Sequence, residues 1–214
     1  MALLSRRRRL VRPGIAKPEF PAFASTSRRT LGWILFWACA LLRAQTAAEA
    51  QSRPLTESEI KAGFLFNFTK FVEWPPEAFA DSGAPIVLGI LGNNPVTELL
   101  IETAAGKTVN GRAVIVQQFK EGQDPRTCHI LFVSSTQEKR LPQILERLKG
   151  SPILTVSETE GFARSGGMIN FIVEGNKVRL EINLDAAARA RLKISAKVIA
   201  VARLVTGEPP GGKS

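Results

Sequence analysis

Two short, almost uninterrupted apolar runs constrain the fold of this chain most strongly. One spans residues 85–92, with the sequence Pro-Ile-Val-Leu-Gly-Ile-Leu-Gly, and the other spans residues 128–134. A strand that is apolar at every position, and not only at every second one, is typical of a parallel strand covered on both faces. The runs therefore predict a central sheet with helices on each side.

The segments between these runs carry helical patterns. A helix is predicted from about residue 55 to residue 73, because Thr56 and Glu59 have the spacing of a capping box and Trp74-Pro75-Pro76 can end it. The same reading gives helices over about 94–105 and 137–149, and strands over 112–119 and 153–157. Strands that alternate with helices indicate an α/β fold with three layers and a mainly parallel sheet flanked by helices.

The C-terminal part of the pattern predicts a β-hairpin and a final helix. Residues 168–173 and 178–184 alternate in polarity and are separated by Glu174-Gly175-Asn176-Lys177, which is a hairpin signal. Asp185 can cap a last helix that continues to about Leu204. On such a helix Arg189, Lys193 and Lys197 form a basic stripe, which is either a solvated face or a contact for an anionic partner.

The basic charge of the chain lies mainly in its first fifty residues. The net charge of +10 suggests nucleic acid or an anionic membrane, but residues 1–50 carry nine basic and two acidic residues, which leaves +3 for residues 51–214. Basic residues, an uncharged apolar run at 31–42 and Ala48-Glu49-Ala50 have the layout of a secretory signal. We predict a cleaved signal peptide over 1–50, a domain over 51–205, a flexible tail over 206–214, a periplasmic location and no nucleic-acid partner. A retained anchor and twin-arginine export remain alternatives.

A search for catalytic and metal-binding residues is mostly negative. The chain has one histidine, His129, and two cysteines, of which Cys39 falls in the predicted signal. Cys128 and His129 are neighbours in a predicted strand and point to opposite faces, so they cannot share a metal. We expect a buried thiol, a buried or capped histidine, no enzyme activity and no cofactor or metal. The Gly89–Pro95 segment lies where doubly wound sheets bind phosphates, but it lacks the full glycine pattern, so a tight turn and a small-ligand crevice both stay open.

Two segments are candidates for binding a protein partner. On the helix that starts near residue 55, Ile60, Phe64 and Phe71 cluster with Phe68 nearby, while Phe66 points to the other side with Lys70. The helix is either a core helix with one stray aromatic residue or apolar on two sides because it also packs on a partner. Alternation places Arg179, Glu181 and Asn183 on one strand face, which is either solvated or a recognition surface. The candidate partner-binding residues are Phe66, Lys70, Trp74, Arg179, Glu181 and Asn183.

The chain resembles the YfiR family of periplasmic proteins (the YfiR/HmsC-like group) from about Glu59 to Val205. The segments that carry the resemblance are 60–75 (IKAGFLFNFTKFVEWP), 89–92 (GILG), 111–112 (GR), 128–133 (CHILFV), 154–157 (LTVS), 161–163 (GFA), 166–171 (GGMINF), 178–184 (VRLEINL), 186–187 (AA) and 192–195 (LKIS). Each segment is modest alone, and their order along the chain makes the match specific.

The resemblance implies regulation and no catalysis. Proteins of this family restrain an inner-membrane diguanylate cyclase from the periplasm, and so lower cyclic di-GMP, biofilm formation and exopolysaccharide output. An outer-membrane lipoprotein can relieve the repression, and the proteins are homodimers. Since only Cys128 remains after the predicted signal, redox control through an internal disulfide cannot apply here. A periplasmic small-ligand sensor that uses the Gly89–Pro95 crevice is the alternative.

Overall fold

The computed structural model of the protein describes residues 53–120 and 122–207. The helices in these ranges are α1 (Glu57–Phe71), α2 (Val96–Ala104), α3 (Leu141–Leu148), α4 (Leu184–Arg189) and α5 (Ala196–Ile199). The strands are β1 (Val72–Glu73), β2 (Ile86–Leu91), β3 (Thr108–Val109), β4 (Arg112–Phe119), β5 (Ile130–Val133), β6 (Leu154–Ser157), β7 (Ile169–Glu174), β8 (Lys177–Ile182), β9 (Lys193–Ile194) and β10 (Ala202–Leu204). The predicted signal over 1–50 and residues 208–214 of the predicted tail lie outside the described residues.

Eight strands form one sheet in the order β10-β8-β7-β6-β5-β2-β4-β3. The pairs β2–β4, β2–β5, β5–β6, β6–β7 and β8–β10 are parallel, whereas β7–β8 and β3–β4 are antiparallel. β1 and β9 pair separately and antiparallel. The predicted mainly parallel sheet and the C-terminal hairpin are therefore confirmed.

Helices cover the sheet on both faces, as the apolar runs predict. Leu88 and Ile90 of β2 lie in one core with the buried side chains of α1 and α2, whereas Val87 and Leu91 lie in a second core with those of α3. Because side chains along a strand alternate between faces, a strand that feeds both cores must be apolar throughout. The three-layer architecture is confirmed.

The first helix begins as its sequence predicts and ends slightly earlier. Thr56 Oγ1 accepts a hydrogen bond from the backbone N–H of Glu59 at 3.2 Å, and the Glu59 carboxylate accepts one from the N–H of Thr56 at 2.7 Å. This reciprocal pair is the predicted capping box. The helix ends at Phe71, because Val72 and Glu73 pair with β9 and do not continue the helix.

The prediction of one continuous helix from Asp185 to Leu204 is wrong. The helix cap is Asn183, whose side chain accepts from the Ala186 N–H at 3.0 Å, and α4 ends at Arg189. Lys193 lies in β9, and the N–H of Ser195 donates to the Phe71 carbonyl at 2.8 Å. Pairing with a segment more than 100 residues earlier thus overrides helix propensity, and the basic stripe at helical spacing does not form.

The predicted helix over 137–149 is only partly confirmed. Residues Ser135–Arg140 form 3₁₀ turns after Ser134, whose side chain accepts from the N–H of Thr136. α3 starts at Leu141, where Pro142 occupies the first turn, a position that tolerates proline because its missing N–H has no partner there.

Within the described ranges, no helix combines the length and apolar character that crossing a bilayer requires.

Candidate functional site

The carboxyl ends of the central strands enclose a polar network. From β2 the chain passes to β4 on one side of that strand and later to β5 on its other side. A reversal of this kind opens a crevice beyond the carboxyl ends of the strands, where α/β sheets usually bind their ligands. Glu158, the first residue after β6, lies in this crevice.

Glu158 joins three elements that are far apart in sequence. Its Oε2 accepts from Lys61 Nζ of α1 at 2.6 Å, and its Oε1 accepts from Asn94 Nδ2 at 2.6 Å and from Ser135 Oγ at 3.1 Å. Lys61 Nζ also lies 2.5 Å from Oε1 of Glu57, one turn earlier on the helix. We call these five residues the switch-point network. It ties α1 to the loops that follow β2 and β5.

Both charges at the centre of this network are largely removed from water. Burial acts to lower the pKa of Lys61, but the hydrogen bonds and charges of Glu158 and Glu57 outweigh it and raise that pKa above its ordinary value. Burial acts to raise the pKa of Glu158, but Lys61 and Ser135 outweigh it and lower that pKa. Lys61 and Glu158 are therefore both charged at neutral pH, and losing either partner would leave a poorly solvated charge.

The segment predicted as a tight turn or a ligand crevice forms a tight turn that packs against the loop after β5. Gly92 has φ of +93°, and a Cβ there would meet Thr136 Oγ1 at 2.6 Å. Asn94 Oδ1 accepts from the Val96 N–H at 2.9 Å, which fixes the entry into α2. An open cavity of about 360 Å³, lined by Gly92, Phe119 and Gln137 among others, remains on the β4 side of the turn, so the small-ligand alternative stays a prediction.

An open groove of about 810 Å³ lies beside the switch-point network. Its walls include the start of α1, the loop after β6 and the outer part of the β7–β8 hairpin. The charged side chains that line it are Glu57, Lys61, Glu158, Glu160, Arg164, Glu174, Glu181 and Arg203. We call it the hairpin groove, and its five glutamates outnumber its three basic residues.

The polar row predicted on the hairpin changes in burial along its length. Arg179 is exposed, Glu181 is 5% exposed and Asn183 is fully buried. Glu181 lines the hairpin groove, and its Oε1 lies 3.5 Å from Arg203 Nη1 and 3.6 Å from Arg164 Nη2. Asn183 is already used inside the chain, because it caps α4 and donates to the Ala163 carbonyl at 2.8 Å.

Phe66 lies on the side of the helix that carries Lys70, as predicted, but it is buried there and is not a stray exposed aromatic residue. Phe66 is 6% exposed and belongs to the core shared by α1 and α2, with the ammonium groups of Lys70 and Lys107 4.8 and 4.9 Å from its ring centroid. Phe64 and Phe71 are the partly buried aromatic residues of the helix. The helix is apolar on two sides because both sides face other parts of the same domain.

Trp74 lies apart from the Phe66–Lys70 pair and from the polar row on the hairpin. Its Nε1 donates to the His129 carbonyl at 3.1 Å, and its ring meets the imidazole edge-on at 6.1 Å between centroids. The six predicted partner-binding residues are thus distributed over three places: Phe66 with Lys70, Trp74 beside β5, and the hairpin row. Of these, only Glu181 borders the hairpin groove.

The single histidine and the cysteine of the domain are both engaged. His129 Nδ1 accepts from the Val87 N–H at 3.1 Å, so the ring proton is on Nε2, which lies 3.1 Å from the Ala78 carbonyl. Burial lowers the pKa of His129, and the charge of Arg112 contributes. Burial raises the pKa of the Cys128 thiol to about 12, and its Sγ donates to Pro125 O at 3.0 Å. The predictions of a buried histidine and a buried thiol are confirmed.

Sequence reasoning missed the charged centre of the site. Asn94 and Glu158 each follow a predicted strand closely, and the carboxyl ends of parallel strands meet at one edge of the sheet. Their positions in the sequence could therefore have indicated that the two side chains lie close together. Lys61 gave no comparable signal, because a lysine on a helix is usually solvated. Among the described residues, no three histidine, cysteine, aspartate or glutamate side chains are grouped to hold a metal ion.

A family model described as YfiR/HmsC-like matches residues 58–203. The match runs from the second residue of α1 to the middle of β10. It includes nearly all of the sheet, both cores and, apart from Glu57, the switch-point network and the lining of the hairpin groove.

Proposed function

This chain belongs to the YfiR/HmsC-like family, and we propose that it is a periplasmic regulator that binds and represses an inner-membrane diguanylate cyclase. Repression would lower cyclic di-GMP, and with it biofilm formation and exopolysaccharide output. Relief by an outer-membrane lipoprotein and assembly as a homodimer belong to the same proposal. The observation that carries it is the family match, which spans nearly the whole described domain.

The state of the reactive side chains supports a binding role over a catalytic one. A general base needs a free nitrogen or carboxylate near a substrate, but both ring nitrogens of His129 face backbone groups of the same chain. A nucleophilic cysteine needs a thiolate, but burial holds the Cys128 thiol protonated at neutral pH. The groups most suited to acid–base or nucleophilic chemistry are therefore used in packing.

The hairpin groove offers a surface that suits a protein. It is open and lined largely by charged side chains, whereas small-molecule sites are mostly apolar and enclose their ligand. Exposed charges at such a surface mainly steer a partner and determine which partner binds. We therefore place the cyclase contact at this groove. The periplasmic part of the proposal depends on the signal-like sequence of residues 1–50.

Binding to purified partner domains tests the proposal. The gene is expressed with its own N-terminal segment, and the protein purified from the periplasm is titrated with the periplasmic domain of each membrane diguanylate cyclase of the same genome. We expect one domain to bind with a dissociation constant of about 1 μM, which corresponds to a binding free energy of about −8.2 kcal/mol. If none of the domains binds at any accessible concentration, the proposed function is wrong.

A matched pair of charge reversals locates the contact. Glu160 is exposed at the groove, and Glu102 is exposed on α2 away from it. Glu160→Lys should weaken binding about tenfold, because a reversed charge at an interface repels the group that the original charge attracted. Glu102→Lys should leave it unchanged. Equal effects of the two changes would show that only net charge matters and that the groove is not the contact.

A further inference from the structure

Strand β7 extends beyond its neighbour β6 and leaves a free edge. β6 pairs with β7 only through Val156–Ile169 and Ser157–Asn170. β8, on the other side, pairs with all six residues of β7. Beyond the N–H of Phe171, β7 therefore has a strand on one side and the hairpin groove on the other.

The register determines which backbone groups face the groove. The Asn183 N–H donates to the Met168 carbonyl at 2.8 Å, so these opposed residues form a hydrogen-bonded pair. Hydrogen-bonded and non-hydrogen-bonded pairs alternate along an antiparallel ladder. Ile172 therefore bonds to β8, whereas Phe171 and Val173 direct their backbone groups away from β8. The Phe171 N–H meets the Ser157 carbonyl in the last bridge to β6, so the Phe171 carbonyl and both backbone groups of Val173 are left facing the groove. The turn agrees, since Gly175 and Asn176 have φ of +54° and +60°, as in a two-residue hairpin loop.

Val173 presents an unpaired edge at an accessible position. The residue is 52% exposed, and it lines the hairpin groove together with Phe171 and Ile172. Among the described strands, none pairs with Val173 on the groove side. An open edge with a free N–H and C=O is the feature that binds an extended peptide as an added strand.

The charges around this edge indicate what the added strand carries. Lys61 is already paired with Glu57 and Glu158, and Arg203 with Glu174. Glu160 is exposed and takes part in none of the ion pairs seen among the described residues. With five glutamates against three basic side chains, the groove attracts a basic segment and repels an acidic one.

We propose that the protein partner docks by adding a short, extended segment that carries lysine or arginine as a strand to the groove-side edge of β7 at Phe171–Val173. The inference rests on the proposed function, because it describes how that partner is held. The free edge consists of the Phe171 carbonyl and the N–H and carbonyl of Val173. It therefore supplies a few main-chain hydrogen bonds, and the groove charges supply selectivity.

A proline substitution separates main-chain docking from side-chain docking. Val173→Pro removes the N–H aimed at the groove and spares the β8 ladder, to which Val173 does not donate. Val173→Ala is the control, since it trims the exposed side chain and keeps the N–H. We expect Val173→Pro to weaken binding of the cyclase domain about tenfold and Val173→Ala less than about threefold, with the far-ultraviolet circular dichroism of both variants unchanged.

The results separate the inference from the proposed function. If the cyclase domain binds and Val173→Pro binds it as well as wild type, the inference is wrong and the proposed function stands. If Val173→Ala weakens binding as much as Val173→Pro, the contact uses the side chain, and strand addition is wrong.

A second measurement tests the edge without any cyclase. Amide hydrogen exchange, followed by nuclear magnetic resonance on the full chain, should be faster at Val173 than at Ile172, whose N–H bonds to β8. A peptide of about ten residues that alternates lysine and valine should slow exchange at Val173, and its glutamate–valine counterpart should not. The inference is overturned if the basic peptide leaves the Val173 amide unprotected, or if both peptides protect it equally.

Discussion

Lys61→Met removes the ammonium group that neutralises Glu158 and keeps a side chain of similar length. Removing one partner of a buried ion pair costs about 3–5 kcal/mol, because the other charge stays buried alone. Glu158 is 14% exposed at its side chain and keeps its hydrogen bonds from Asn94 and Ser135. We therefore expect a loss near the lower end of that range, about 3 kcal/mol of unfolding free energy.

Urea denaturation followed by circular dichroism measures this loss. With a denaturant slope of about 2 kcal/mol/M, a loss of about 3 kcal/mol lowers the urea midpoint by about 1.5 M. Glu158→Gln should cost less, because Lys61 keeps Glu57 as a partner and the amide still accepts a hydrogen bond. The double variant should lose less than the sum of the two single losses by at least about 1 kcal/mol, since the residues interact directly.

The pH dependence of the same loss gives a second check. The pKa of Glu158 is lowered in the folded protein, so its contribution is present above the unfolded value of about 4.3 and is lost as the pH falls through the lower folded value. The difference in unfolding free energy between wild type and Lys61→Met should have its whole value, about 3 kcal/mol, at pH 7 and should become smaller at acid pH. A difference that is equal at both pH values, with additive single losses, would refute the buried ion pair as the source.

Three further stability measurements probe the core, the turn and the histidine. Phe66→Ala should cost about 3–5 kcal/mol, because the ring is buried, and Phe66→Leu clearly less; an exposed ring would give under about 1 kcal/mol in urea denaturation. Gly92→Ala should lower the thermal midpoint more than Gly106→Ala, because both have positive φ but only Gly92 has neighbours where a Cβ would go; equal shifts would contradict the close contact. Because the pKa of His129 is lowered in the folded protein, stability should fall as the pH drops from about 6.5 toward the folded pKa, by at most about 1.4 kcal/mol per pH unit. His129→Gln should remove this dependence. An unchanged slope of stability against pH in the variant would assign the dependence to other groups.

Features set by local pattern were predictable from the sequence. The capping box of Thr56 and Glu59 needs only a spacing of three residues, and the strand Ile86–Leu91 needs only a continuous apolar run. The hairpin depends on a four-residue turn signal. Each of these patterns has one low-energy local solution, so neighbouring residues alone were sufficient to identify it.

Features set by distant contacts were not predictable in the same way. Residues 185–204 have helical composition, but β9 forms because Lys193 and Ile194 meet Glu73 and Val72 across the fold. A helical wheel gives the angle of Phe66 but not which neighbouring element covers it. Lys61 and Glu158 are 97 residues apart, and their contact follows from the strand order, which the sequence pattern did not specify.

Cyclic di-GMP in living cells tests the central claim most directly. The gene for this chain is deleted in its own host, with and without deletion of the cyclase whose periplasmic domain binds it, and cyclic di-GMP is measured in extracts. If the protein represses that cyclase, deletion raises cyclic di-GMP, wild-type protein restores it, Glu160→Lys restores it poorly, and removing the cyclase abolishes the rise. A level that is unchanged by the deletion, or a rise that persists without the cyclase, would contradict the account.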